Sequence, residues 1–424
     1  MNYVIRWSFY LLFFLVPLIF TSINSELFEF NKMMLTYSLT IIIVAAWLIK
    51  MVLTQKIIYR RTFLEIPLLL YFFSHLLSTI FSIDPHTSIW GYYSRFHEGL
   101  LATISYILLY FAAVSNLDKN DVKNIFYSSF AAGIIVAIWG ILEHFGMSIS
   151  CLVFTGKFDV ACWIQDVKNR VYATLGQPNW MAAYLDILIL IALSFKNKIS
   201  LLSVPFFAAL LFTKSRSGIL GLIFGGAIFF AILFIKERAK IFTNKFLIIS
   251  VILILFSSFI FSSPFTQTTS KTQSLEPSPY IDIGISQSSD IRKIVWEGAV
   301  KVWQRYPLFG SGVETFAFAY YKDRPVAHNM VSEWDFLYNK AHNEYLNLLA
   351  TTGSVGFLAY LGVILTFVIW SIYNLQFTIF NKFPIALFTA WISILVTNFF
   401  GFSVVIIGLY FFLIPAFCAI LKDD

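Results

Sequence analysis

The sequence predicts an all-α membrane protein, a polytopic bundle of about twelve transmembrane helices with one large extracytoplasmic loop that carries short helices. Three observations carry that prediction. Hydrophobic residues make up 58% of the 424 and charged residues only 12%, against roughly a quarter charged in a soluble domain. Apolar runs long enough to cross about 30 Å of hydrocarbon recur along the whole chain. The Lys and Arg residues fall in short clusters between alternate runs, the pattern that orients membrane helices, rather than along one stripe. The formal charge of +7 is therefore read as topology, and nucleic acid is excluded as a partner; the lipid bilayer is the expected one.

Taken in order, the first run spans Trp7 to Ile23 behind Arg6. No small-x-small cleavage site follows it, so it is read as a retained helix rather than a signal peptide. Further spans are expected near residues 33–53, 65–82, 100–116, 122–146, 179–195, 199–214, 217–235, 246–263, 343–372, 383–400 and 402–421. The turn at 400–402 is short enough that the last pair could instead form one re-entrant hairpin. Residues 1–263 thus hold nine spans with short outer loops, 264–341 form the large periplasmic loop, and 342–424 hold the C-terminal spans. Basic clusters follow the second span (Lys50, Lys56, Arg60, Arg61), the sixth (Lys196, Lys198) and the eighth (Lys236, Arg238, Lys240, Lys245). The positive-inside rule makes their side the cytoplasm and puts both termini there. Segments 84–99, 147–178, 213–217 and 264–341 then face outward.

The large loop changes character along its length. Thr266 to Asp290 is rich in Ser, Thr, Gln and Pro and is expected to be mobile. Ile291, Ile294, Val295, Ala299, Val302 and Trp303 then recur at helical spacing up to Pro307, which predicts an amphipathic helix lying against the membrane mouth. A glycine turn at Leu308 to Gly312 and an aromatic stretch from Phe316 to Tyr321 follow.

Polar residues that could carry chemistry gather on the outward segments. In Thr213-Lys214-Ser215-Arg216-Ser217-Gly218, Ser215 or Ser217 can cap the next helix, whose free N–H groups beside Arg216 would favour an anion such as phosphate. The bland alternative is an interfacial arginine snorkelling to headgroups. In Lys340-Ala341-His342-Asn343-Glu344 the positive end of a helix disfavours imidazolium, leaving His342 neutral and able to accept a proton; as a lone interfacial histidine it could equally be an ordinary hydrogen-bonding residue. His328-Asn329 repeats the dipeptide with no helix start behind it. Arg95, Arg170, Arg292, Arg305 and Arg324 also face outward, and guanidiniums converging on one cavity would suit a diphosphate. The outward acids include no DxD-type pair for a metal, so no metal and no cofactor are expected. Glu143 and Asp186, at or within apolar runs, are read as close enough to helix ends to be solvated. Of three cysteines, Cys418 reads as core, while Cys151 and Cys162 share one outward loop and are expected to form a disulfide.

These outward residues resemble the O-antigen ligase and Wzy-type polymerase superfamily. The likeness rests on Ser215-Arg216-Ser217-Gly218 between two spans, on Arg292 to Trp296 leading through Tyr306-Pro307-Leu308-Phe309-Gly310-Ser311-Gly312, and on Ala341-His342-Asn343-Glu344-Tyr345-Leu346 followed by Gly353 and Gly356. Trp90 to Gly99 and Leu175-Gly176-Gln177-Pro178-Asn179 extend it. The resemblance implies a GT-C-like, metal-independent, inverting glycosyltransferase of the inner (cytoplasmic) membrane. Its donor would be a glycan on undecaprenyl diphosphate and its acceptor a hydroxyl of lipid A core, of a growing polysaccharide or of a protein. His342 would then be the general base, Arg216, Arg292 and Arg95 the diphosphate-binding residues, and Ser215, Ser217, Asn343, Arg170 and Asn179 their support. A lipid-linked sugar or polysaccharide transporter is the alternative of another class, which ionisable groups near the bilayer midplane would favour.

Overall fold

Hydrocarbon offers a bare peptide group no hydrogen-bond partner, so a chain this apolar crosses as helices. The computed structural model describes residues 1–22, 26–237, 245–260, 288–375 and 382–422; among them the chain forms sixteen α-helices and no strand. In order these are α1 (Asn2–Leu15), α2 (Glu29–Thr54), α3 (Glu65–Ile80), α4 (Pro85–Trp90), α5 (Leu100–Asn116), α6 (Lys119–His144), α7 (Ile149–Thr155), α8 (Pro178–Leu193), α9 (Ser203–Phe212), α10 (Arg216–Glu237), α11 (Lys245–Ile260), α12 (Ser288–Arg305), α13 (Phe316–Asp323), α14 (Glu344–Leu375), α15 (Lys382–Phe399) and α16 (Val405–Lys422). Six of them, α2, α6, α10, α14, α15 and α16, are long and apolar enough to cross a membrane, and five shorter apolar segments stand beside them. Ile41, Val52, Ile66, Ile235, Leu255 and Leu358 are left exposed on the outside of the bundle, a surface that belongs against lipid. The protein is a multi-pass membrane protein.

Eleven of the expected spans coincide with helices to within a few residues. The first does not: α1 stops at Leu15 rather than near residue 23. Pro17 has no N–H to continue the ladder, and the carbonyl of Ile19 instead accepts a hydrogen bond from the Lys32 ammonium (3.0 Å). The amphipathic α12 forms as expected but does not present its apolar stripe to the membrane. Ile291, Val295, Ala299 and Val302 are buried in a separate small core with Phe316, Tyr320, Tyr338 and Ala350, so α13 and the start of α14 cover that face. The polar tract expected to be mobile lies, up to residue 287, outside the described residues.

Two acids behave differently from the solvated groups expected. Glu143 is buried, and its carboxylate accepts from the backbone N–H groups of Tyr172 (3.3 Å) and Ala173 (2.9 Å) and from the Ser148 hydroxyl (3.2 Å). It ties α6 to the loop above it. Asp186 sits mid-way along α8, fully buried, with no hydrogen-bond partner among the described residues. Helix α8 lies in the centre of the bundle, packed by α9, α10 and α15, so neither end of it brings water to that carboxyl. In the same loop, Cys151 of α7 is bonded to Cys162.

One end of the bundle carries Arg6, Lys50 and Arg60: Arg6 pairs with Asp118 (2.8 Å) and Asp121 (2.9 Å), Lys50 donates to Asn116, and Arg60 to the carbonyl of Ala419. Helices α4, α7, α12 and α13 lie at the other end, where α14 begins with a kink at Gly353 (φ 65°). The kink breaks the ladder there, and the turn 307–312 replaces it. Ser311 and Gly312 donate their N–H groups to the carbonyls of Ala350 (3.0 Å) and Thr351 (2.9 Å). Ser354 and Val355 donate theirs to the carbonyls of Pro307 (2.8 Å) and Leu308 (3.1 Å). A backbone group that a kink exposes in a membrane protein has to be satisfied by its neighbours, and here all four are.

A Cβ on Gly353 would lie 2.3 Å from the Leu308 carbonyl oxygen, in a backbone region that L-residues rarely adopt. Gly353→Ala should therefore destabilise the protein by about 2 kcal/mol or more, read as a fall in apparent Tm in detergent. Gly362→Ala, on the same helix with nothing within 4 Å of the added carbon, should leave the Tm unchanged or slightly higher. Equal effects at the two glycines would show that the kink is not a constraint.

Candidate active site

Several of the residues singled out in the sequence, His342, Arg170, Arg292 and Asn179 among them, come together at the end of the bundle where α8, α10, α12 and α14 begin. Asn343 caps α14: its Oδ1 accepts from the N–H of Leu346 (3.0 Å). His342 precedes the cap in the left-handed region (φ 52°), and its ring is held edge-on by Tyr338 (5.6 Å) and Phe402 (5.4 Å). On the facing side, Gly176 (φ 81°) turns the chain into α8, with Pro178 at its first position, where a missing N–H costs nothing. That turn presents Asn179. The Oδ1 of Asn179 accepts from the Ser215 hydroxyl (2.8 Å) and from Arg170 (3.5 Å). Ser215 also caps α10, accepting from the N–H of Gly218 (3.2 Å), and lies 3.1 Å from the Ser217 hydroxyl.

Between these elements lies a cavity of about 480 Å³ lined by His342, Arg170, Arg292, Asn179, Asp166 and Tyr338, among others. His342 and Asn179 also border a smaller cleft that Ser217, Trp180 and Phe402 line. Arg95 lies over the rings of Trp180 (5.3 Å) and Phe402 (5.7 Å), the second of which also touches His342. Arg216 is exposed and lines neither space, but its charge is felt by Arg170. Arg305 and Arg324 belong elsewhere: the first pairs with Asp323 (2.7 Å) and the second donates to the carbonyl of Trp334. Three guanidiniums, of Arg95, Arg170 and Arg292, thus lie about His342, with Arg216 next to Arg170, and among the described residues no carboxylate forms an ion pair with any of the four. His328 is buried instead in the core of the outer loop, hydrogen-bonded to the Tyr320 hydroxyl.

The electrostatics follow from that gathering. Burial, and then the positive charges of Arg292 and Arg95, push His342 down to about 4. The ring is therefore neutral at pH 7, as expected, but chiefly through burial and the neighbouring guanidiniums rather than the helix dipole. Desolvation, then Arg292 and Arg216, lower Arg170 as well; guanidinium starts from so high a value that it stays charged. The same wall carries two acids, Asp166 and Glu333, neither of them ion-paired with these arginines among the described residues, and a cavity with arginines beside a neutral imidazole can take an anion and accept a proton next to it.

One part of this end was not legible in the sequence. The Lys340 ammonium is buried between the carboxylates of Glu98 and Glu314, a contact across 242 residues in the first case that no local spacing announces. His97, Glu98 and Glu314 also bring potential metal-ligand atoms within 4.8 Å of one another, but the ammonium already bonds both acids. Of the seven non-glycine residues with positive φ among the described residues, six (Phe96, Glu98, Ala173, Lys214, Glu314 and His342) lie at this end. Each such residue costs about 1–3 kcal/mol, and such strain collects at functional sites.

Residues 201–361 match the O-antigen ligase family model. The match covers under half of the chain, and over that stretch the chain is similar to O-antigen ligases. No curated protein matches the chain. The matched stretch contributes Arg216, Arg292 and His342, while Arg95, Arg170 and Asn179 of the same site come from the preceding part of the chain, which the O-antigen ligase model does not cover.

A histidine whose pKa is lowered stays neutral until the pH falls through that lowered value. In protein carrying labelled histidine, NMR should place the His342 titration near pH 4, and Arg292→Gln, which removes one of the depressing charges, should move it up toward its ordinary value. A midpoint near 6.5 in the parent protein would contradict this arrangement of charges.

Proposed function

We propose that this protein is an O-antigen ligase-type glycosyltransferase that moves a glycan from undecaprenyl diphosphate to an acceptor hydroxyl at the outer face of the inner (cytoplasmic) membrane. The observation that carries this reading is the cavity in which a neutral histidine borders the same space as two arginines that no carboxylate pairs among the described residues. In this reading the chain crosses the membrane about twelve times with both termini in the cytoplasm, as the basic clusters indicate. The arginines then lie where a lipid-linked donor presents its diphosphate.

The reaction uses each group once. A ring nitrogen of His342 takes the proton of the acceptor hydroxyl as that oxygen attacks the anomeric carbon from the face opposite the leaving group. The carbon–oxygen bond to the diphosphate breaks, its electron pair leaves on the diphosphate, and the configuration at the carbon inverts. Arg170 and Arg292, with Arg95 and the rim residue Arg216, neutralise the departing charge without a metal, because fixed guanidiniums aimed at developing charge need no reorganisation. Ser215, Ser217, Asn179 and Asn343 hold the starts of α10, α8 and α14 that bear these groups. The acceptor follows the family: lipid A core for a ligase, with Wzy-type polymerisation or protein O-glycosylation using the same chemistry on another hydroxyl. Asp186 is the mid-helix acid a transporter would need, but it lines neither space that His342 borders.

Purified protein with an undecaprenyl-diphosphate-linked glycan and acceptor tests the reading through release of undecaprenyl diphosphate. His342→Ala should lower transfer about a hundredfold or more with donor binding nearly unchanged. Arg292→Lys keeps the charge but loses the planar fork, so binding and turnover should both fall, by about tenfold. Near-normal transfer by folded, inserted His342→Ala, or movement of glycan across the membrane without release, would overturn it.

A further inference from the structure

The left-handed backbone at Glu98 (φ 60°), Glu314 (φ 62°) and His342 (φ 52°) occurs on three segments far apart in the chain: the turn before α5, the turn before α13 and the approach to α14. The Lys340 ammonium joins all three. It bonds both carboxylates, is buried, and lies two residues before His342. It also lies over the ring of Phe402 (5.8 Å), the ring against which His342 and Arg95 rest. Burial works against the ammonium charge, but Glu314 and Glu98 outweigh it and raise the Lys340 pKa, so the ammonium stays charged, while burial pushes the Glu314 carboxyl up. Behind it the backbone is pinned again, the N–H of Ala341 donating to Asn347 (3.3 Å). Glu98 and Glu314 also border a small interior cavity of about 50 Å³ that does not include His342, so these acids do not themselves face the reacting groups.

Building on the transferase reading, we propose that Lys340 is a positioning residue: its ammonium, clamped between Glu98 and Glu314, holds the approach to α14 so that the His342 ring faces the arginine-lined cavity. A buried ion pair is poor evidence of a stabilising role, because an apolar replacement of the whole group is often as stable. That makes the two roles separable. The triple variant Glu98→Gln, Glu314→Gln, Lys340→Met removes both bonded acids and the ammonium together, leaving of the buried group Glu344, whose carboxyl keeps the N–H of Ser403 as a donor (3.2 Å). In folded, inserted protein it should lower kcat about tenfold or more while the KM for the lipid-linked donor and the affinity for inorganic pyrophosphate stay within about twofold. An unchanged kcat, or kcat and donor affinity falling together, would overturn the positioning role. If the triple variant does not accumulate, Glu98→Gln alone keeps the Lys340 to Glu314 bond; a fall of about threefold in kcat without a change in KM is then expected, and an unchanged kcat overturns the proposal. His342→Ala is measured alongside. Loss of transfer there with an unimpaired triple variant rejects the clamp and leaves the transferase reading intact, whereas transfer retained by His342→Ala rejects that reading itself.

Discussion

Everything at the functional end depends on the exchange of backbone hydrogen bonds at the kink of α14. A straight helix would carry the chain from Glu344 onward with no reason to bind the outer loop. Because Gly353 turns left-handed, two carbonyls and two N–H groups are set free, and the turn 307–312 takes all four. The outer loop is thereby fastened to a spanning helix through its backbone, independent of side-chain choice. The same turn reaches the segment after α3, where the N–H of Ile83 donates to the Ser311 carbonyl (2.9 Å), and α3 itself is tied to α14 by the Ser78 hydroxyl, which donates to the Thr351 carbonyl (2.9 Å). With α12 packed on the start of α14, Arg292 and His342 are carried by elements that share one anchor.

On that frame the positive charges are sorted by burial. Buried cations are normally paired, since a lone charge in a low dielectric is costly. Here the buried Lys340 is paired, between Glu98 and Glu314, whereas the half-buried Arg95 and Arg292 and the exposed Arg170 and Arg216 form no ion pair among the described residues. Such arginines attract an anion, and their field keeps the nearby imidazole from taking a proton prematurely. On the transferase reading proposed above, an arriving diphosphate would neutralise that field and make the histidine a better base at the moment it is needed.

Much of this was legible in the sequence because lipid imposes a simple code. Span positions follow from hydrophobic length, and the helix starts from Asn343, Ser215 and the Gly176-Gln177-Pro178 turn, each a local signal. What escaped was set by distance. The early stop of α1 depends on Pro17 and on Lys32 claiming the Ile19 carbonyl. The burial of Asp186 depends on α8 being surrounded by other helices rather than on its place along its own run. The apolar stripe of α12 was visible, but its partner was not, because membrane and protein satisfy the same periodicity. The Glu98, Lys340 and Glu314 cluster leaves no pattern at all, since its members are joined only by the fold.

The central claim is that the arginines hold a diphosphate beside a histidine whose basicity they otherwise suppress. The most direct measurement is the His342 titration, followed by NMR in labelled parent protein, with and without saturating undecaprenyl diphosphate. The expected midpoint is near 4 and rises by about one unit or more when the ligand binds. A midpoint that does not move when the diphosphate is demonstrably bound would contradict the claim, because the anion would then lie away from the arginines that surround His342.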